Sequence, residues 1–107
     1  MSFLALDHSL ELIRLLAPLC RALARHDPRL VDQIRRAATS VANNLAEGQA
    51  RVGRDRRHLA RVAYASAAEV AASLKVAVAW GFVADDDIAA ALTKLDRVRS
   101  LTWGLAA

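Results

Sequence analysis

The segment from residue 33 to residue 48 constrains the fold most, because it combines an apolar helical face with a second, polar one. On a turn of 3.6 residues, the apolar face consists of Leu30, Ile34, Ala37, Ala38, Val41 and Leu45. The polar face repeats at helical spacing and consists of Arg36, Ser40, Asn43 and Glu47. Gly48 is predicted to end the helix, since glycine adopts the left-handed conformation without a Cβ clash. Glu47 then lies in the last turn, where the helix dipole disfavours an acid, so a specific partner is expected.

Composition favours a small helical protein. The 107 residues predict one domain over residues 1–107. Hydrophobic residues make up 55% of the chain but aromatics only 5%, and alanine, the best helix former, fills much of the difference. A β-rich fold would need more turn signals and more β-branched alternation. The prediction is an all-α chain, and its small size makes a homo-oligomer a reasonable expectation.

Four helices are predicted, at about residues 7–25, 29–46, 55–80 and 86–103. Predicted start signals are Asp7 or Ser9, then Asp27 with Pro28, then Asp55, and finally Asp85–Asp87. Gly81 is predicted to end the third helix. The short link between helices 1 and 2 indicates antiparallel neighbours, as in a four-helix bundle.

The third helix is apolar nearly all round. One row consists of Leu59, Val62, Ser66, Glu69, Ser73, Val76 and Trp80. A second row consists of Ala63, Ala67, Val70, Leu74 and Ala77. A helix of this kind is buried on more than one side, so the second row is predicted to lie against another subunit. Glu69 is expected to be paired, with Arg36 or a neighbouring subunit, because it lies within an apolar row.

The positive charge is concentrated in one short stretch. Residues 49–61 contain five arginines and one acid, which accounts for the whole net charge of +4. These arginines are the candidate nucleic-acid-binding residues: Arg51, Arg54, Arg56, Arg57 and Arg61. The alternative is an ordinary solvated surface. No aromatic residue interleaves the arginines, so base stacking is not indicated, and Trp80 and Trp103 are predicted to pack the bundle.

The remaining polar residues indicate structure rather than chemistry. A structural polar network is predicted from Arg36, Ser40, Asn43, Asn44, Glu47, Ser66 and Glu69. The alternative is acid–base chemistry by Glu47 and Glu69. The sequence has no Glu-x-x-His pair and no phosphate loop, so catalytic residues, a metal and a cofactor are not predicted. Cys20 is expected to be a small core residue.

The expected location is the cytoplasm, without a membrane partner. A single cysteine, which has no internal partner for a disulfide, fits a reducing compartment. The longest apolar stretch, residues 63–80, contains Glu69 and Lys75, so a membrane span is not predicted.

Three blocks of sequence resemble the family known as four helix bundle proteins, or 23S rRNA intervening-sequence proteins. The first runs from Gln33-Ile34-Arg35-Arg36-Ala37 through Ser40 to Asn44-Leu45-Ala46-Glu47-Gly48. The second is Ala63-Tyr64-Ala65-Ser66-Ala67-Ala68-Glu69, with Ala65 where the family has glycine. The third is Trp80-Gly81-Phe82-Val83. Helix 1 departs from the family pattern, since the usual lead-in is reduced to Asp27-Pro28.

The resemblance implies an antiparallel up-down four-helix bundle, commonly assembled as a homopentamer. A related branch, the accessory variability determinant of diversity-generating retroelements, is a basic pentamer that associates with a reverse transcriptase and nucleic acid. The expected function is therefore a non-enzymatic scaffold or accessory protein that binds RNA or DNA backbones. The alternative is a protein–protein interaction module, for example a reverse-transcriptase accessory subunit, without direct nucleic-acid binding.

Overall fold

The computed structural model describes residues 4–107, and these form four α-helices with no β-strand among them. The helices are α1 (Leu4–Leu23), α2 (Pro28–Gln49), α3 (Gly53–Ala79) and α4 (Asp85–Ala106). The predicted all-α class is therefore confirmed. Each helix covers most of its predicted range, and the differences of one to three residues at the ends have local causes.

Two predicted helix ends are confirmed. Asp27 precedes α2 in an extended conformation, and its Oδ1 accepts a hydrogen bond from the Leu30 backbone N–H at 3.1 Å. Pro28 occupies the first helical position, where its missing N–H has no helical partner to lose. The second confirmed prediction is the end of α3, which Gly81 follows with a φ of +78°. This left-handed conformation reverses the chain towards α4.

Gly48 does not end α2, and that prediction is wrong. The helix continues to Gln49, and Gly48 is buried within it. A Cβ built on Gly48 would lie 3.5 Å from the Leu59 Cβ, so the beginning of α3 packs directly against this turn of α2. The left-handed glycine falls instead at Gly53, with a φ of +60°, where the chain turns into α3.

Three predicted N-caps are also wrong. The helix α3 begins at Gly53 after Val52, so Asp55 lies within its first turn and does not cap it. The helix α1 begins at Leu4, which places Asp7 in its first turn as well. Ser9 is buried, and its hydroxyl donates a hydrogen bond to the Leu6 carbonyl oxygen at 2.6 Å. The acids in these first turns still interact favourably with the helix dipole.

The apolar faces of the four helices enclose one core. All six apolar residues predicted for α2 are buried. In α1 the core residues are Leu12, Leu16 and Leu23, whereas α4 contributes Ile88, Leu95 and Val98. Cys20 also belongs to the core, and burial raises the pKa of its thiol, as expected for a packing residue.

The predicted orientation of α3 is wrong in the single chain. The row of Ala63, Ala67, Val70, Leu74 and Ala77 is fully buried and packs within this chain. Glu69, Val76 and Trp80, from the other row, are exposed. The helix is long and apolar enough to cross a membrane by length and composition, a test that core helices of soluble proteins also pass. Its fully buried row identifies it as a core helix of this fold.

The helices pack in cyclic order, since α1 and α3 each contact α2 and α4. The Lys94 ammonium of α4 donates to Glu11 Oε2 of α1 at 2.5 Å, and this hydrogen bond lowers the pKa of Glu11. His26, in the α1–α2 connection, stacks on Phe82, in the α3–α4 connection, with ring centroids 5.0 Å apart. These two connections therefore lie at the same end of the molecule.

Candidate nucleic-acid interface

The predicted arginines lie together at the end of the molecule formed by the α2–α3 connection. Arg51 is in the connection itself, and the other four lie in the first turns of α3. Arg54, Arg57 and Arg61 follow one another at spacings of three and four residues, so they share one face of α3. This face presents three guanidinium groups within about 10 Å of helix length.

The arginines differ in what they contact. Among residues 4–107, Arg54, Arg57 and Arg61 are exposed and form no ion pair with a carboxylate. Arg56 is half-buried and held by contacts within the protein. Of the five arginines predicted from the sequence, the structure leaves these three available to a bound anion.

Arg51 forms ion pairs with the two neighbouring acids. Its Nη2 lies 3.3 Å from Glu47 Oε1, and its Nη1 lies 3.9 Å from Asp55 Oδ2. The Glu47 interaction joins the end of α2 to the connection and provides the partner that an acid in the last helical turn requires. Both side chains are about half exposed, at 49% for Arg51 and 54% for Glu47, so the pair adds little stability.

The polar face of α2 meets α3 through a small hydrogen-bonded cluster. Ser40 Oγ and Ser66 Oγ are 2.9 Å apart and join the two helices. Asn44 Nδ2 donates to the Ser40 carbonyl oxygen at 2.8 Å and to Ser40 Oγ at 3.0 Å. Three of the seven residues predicted for the polar network are thus brought together by direct hydrogen bonds.

The other network residues lie around this cluster without joining it. Arg36 and Glu69 line an open cavity of about 310 Å³ with Ser40 and Ser66. They form no ion pair with each other within the described chain, and Glu69 is exposed, so the predicted pair with Arg36 is absent from the single chain. Asn43 lines a wider open groove along α2 that shares Arg36 and Ser40 with this cavity, and Glu47 pairs with Arg51.

The two tryptophans do not pack the core, contrary to the prediction. Trp80 is 71% exposed and Trp103 is 63% exposed. Trp103 lies beside Tyr64 of α3, with ring centroids 5.4 Å apart and planes tilted by 54°. The sequence did not predict that Trp103 and Tyr64 lie beside the arginines. The spacing of three residues between Arg61 and Tyr64 could have indicated that an aromatic side chain shares the face of α3 with the arginines.

Within residues 4–107 no group of three or more His, Cys, Asp and Glu side chains could hold a metal ion. His8 contacts Lys94 at 3.0 Å and Glu11 at 3.5 Å, and this cluster links α1 to α4.

The fold and surface define a class: a small all-α protein of four helices with a basic end. The model of the family described as 23S rRNA-intervening sequence protein matches residues 4–104. The chain therefore belongs to this family, as its three sequence blocks predicted. No curated protein matches it.

A crystal structure from Bacteroides thetaiotaomicron has the same fold. That structure is of a protein of unknown function from the S23 ribosomal protein family, and its superposition on this chain has a TM-score of 0.85. The alignment covers 95% of this chain and 97% of the other at 20% sequence identity. At this identity the likeness establishes the four-helix fold.

Proposed function

We propose that this protein is a non-enzymatic accessory protein that binds the sugar–phosphate backbone of RNA or DNA. The observation that carries the proposal is the exposed, unpaired row of Arg54, Arg57 and Arg61 on one face of α3 within the described chain. A guanidinium group matches phosphate geometry with two parallel hydrogen bonds and keeps its charge at every physiological pH. The family description, which refers to a sequence in 23S rRNA, is compatible with such a partner.

The basic row favours contacts with phosphates over recognition of bases. Replacement of condensed counterions by arginine gives an affinity that depends on salt and not on sequence. The acids beside the row, Glu47 and Asp55, form ion pairs with Arg51, and neither forms one with an arginine of the row. Backbone binding of this kind needs no cofactor and no metal, and we expect the protein in the cytoplasm with its nucleic-acid partner.

We further propose that the helices form an up-down antiparallel bundle that assembles as a homo-oligomer, a pentamer by family resemblance. The contact of Lys94 with Glu11, and the stacking of His26 on Phe82, support the antiparallel order. Exposed Val76 and Trp80, together with the open polar cavity beside Glu69, support an additional interface along α3. Light scattering at micromolar concentration should give a mass well above 11.6 kDa, and a clean monomer would contradict the assembly.

The alternative function is a protein–protein interaction module, for example a reverse-transcriptase accessory subunit. Its supporting observation is an exposed aromatic pair at the opposite end of the molecule. Trp80 stacks on Phe82 with centroids 6.4 Å apart, and Trp80 remains 71% exposed. A protein partner that covers this pair needs no nucleic acid.

The proposed backbone binding is tested with two 20-base-pair duplexes of equal length and unrelated sequence. Fluorescence anisotropy should give similar affinities for both, and these affinities should fall steeply as salt increases. Sequence-selective binding would contradict backbone recognition. Absence of binding to either duplex at low salt would favour the protein-interaction alternative.

A further inference from the structure

A small cavity lies directly beside the basic row. Its volume is about 250 Å³, and it is lined by Arg61, Tyr64, Trp103, Ala106 and Ala107. Arg61 belongs both to the basic row and to this cavity. An aromatic surface formed by Tyr64 and Trp103 therefore lies at the edge of the basic row.

Of the two aromatic side chains that line the cavity, Tyr64 is contacted by Arg99 and Trp103 is largely exposed. The Arg99 guanidinium carbon lies 5.2 Å from the centroid of the Tyr64 ring, and Arg99 Nη2 donates a hydrogen bond to the Tyr64 hydroxyl at 3.4 Å. Trp103 packs against Tyr64 at a tilt of 54° and keeps 63% of its surface exposed. The indole is thus positioned by α3 while much of it stays accessible to a planar group.

We propose that Trp103 stacks on an unpaired base of single-stranded nucleic acid whose phosphates lie on Arg57 and Arg61. This inference rests on the proposed function and adds a preference for single strands. Every base has a π face, so stacking tolerates any sequence, whereas a base inside a duplex is already stacked and inaccessible. Arg61, which lines the cavity, joins the phosphate contacts to the stacking surface.

Trp80 provides a matched comparison within the same chain. It is as exposed as Trp103, but it lies at the opposite end, before the acidic residues Asp85, Asp86 and Asp87. These carboxylates repel a polyanion, so Trp80 is not expected to contact nucleic acid. The pairing of an exposed indole with arginines therefore distinguishes the Trp103 cavity from a merely exposed tryptophan.

The experiment uses the full chain with Trp80→Phe, so that Trp103 is its sole tryptophan. Three probes are compared: a thymine 12-mer, an abasic 12-mer with the same number of phosphates, and a 12-base-pair duplex. The thymine strand should quench Trp103 fluorescence and bind more tightly than the abasic strand. In the otherwise unaltered chain, Trp103→Ala should lower affinity for the thymine strand about tenfold and leave the other two affinities unchanged.

The controls separate stacking from backbone binding. Trp80→Ala should leave all three affinities unchanged, and Trp103→Phe should retain most of the thymine-strand affinity. Equal binding of thymine and abasic strands with unquenched fluorescence would overturn the stacking inference and leave backbone binding intact. Absence of binding to all three probes would overturn both. If Trp103→Ala loses helicity by circular dichroism, the quenching measurement on the Trp80→Phe chain decides.

Discussion

Replacing Leu74 with alanine is expected to lower the free energy of unfolding by about 2–5 kcal/mol. The Leu74 side chain is 0% exposed and lies in the middle of the fully buried row of α3. Its truncation removes apolar contacts and leaves a cavity that Ala-rich neighbours fill poorly, because their side chains are too short to move into it. Urea denaturation followed by circular dichroism measures the loss as a lower transition midpoint at an unchanged slope.

The matched control is the same substitution at an exposed leucine. Leu10 of α1 is 40% exposed, so Leu10→Ala should cost about 1 kcal/mol or less. The pair tests whether Leu74 is buried in the core while Leu10 is not. A loss for Leu74→Ala as small as the one expected for Leu10→Ala would contradict the burial of Leu74 described for α3.

The number and order of the helices were predictable from the sequence. Apolar residues at helical spacing identified the buried face of α2, and Asp27 with Pro28 identified its first turn. Gly81 identified the end of α3 in the same local way. Each of these signals depends on residues a few positions apart, which interact through the helix backbone itself.

The orientation of α3 was not predictable, because an alanine-rich helix that is apolar nearly all round has no single preferred face. Both rows satisfied the helical period, and the packing of α2 and α4 selected the row of Ala63 and Leu74 as core. Gly48 failed as a stop signal for a related reason. Gly48 lies inside α2, at a turn that packs against Leu59 of a different helix.

The candidate site was predictable in part. Charge counting located the arginines, and a spacing of four residues relates Glu47 to Arg51. The half-burial of Arg56 depends on tertiary contacts that the sequence does not specify. The approach of Trp103 to Tyr64 likewise follows from the packing of α4 on α3, between residues far apart in the chain.

The double substitution Arg54→Gln and Arg57→Gln is expected to weaken duplex binding strongly. Each arginine that leaves a phosphate forfeits the release of about one counterion, which corresponds to roughly a tenfold loss of affinity at 0.1 M salt. Both side chains are exposed and, among residues 4–107, unpaired with any acid, so the fold should be unaffected. Arg56 is left unchanged, because it is half-buried and contacts other groups of the protein, so its substitution would alter stability as well as binding.

The matched control removes the same charge from the opposite end of α2. Arg25 lies in the α1–α2 connection and Arg29 in the first turn of α2; both are exposed, about 30 Å from the α2–α3 connection along a helix of this length. The double substitution Arg25→Gln and Arg29→Gln therefore lowers the net charge equally. A general electrostatic attraction would be weakened to the same extent by both double variants, whereas a localised site would not.

The most direct test of the basic end as the binding site is the slope of log K against log salt for one duplex. The wild-type protein and the Arg25, Arg29 variant should share a steep negative slope. The slope of the Arg54, Arg57 variant should be shallower by about 0.9 for each phosphate that is no longer neutralised by an arginine. Identical slopes for the two double variants, or a slope near zero for the wild type, would contradict backbone binding by the first turns of α3.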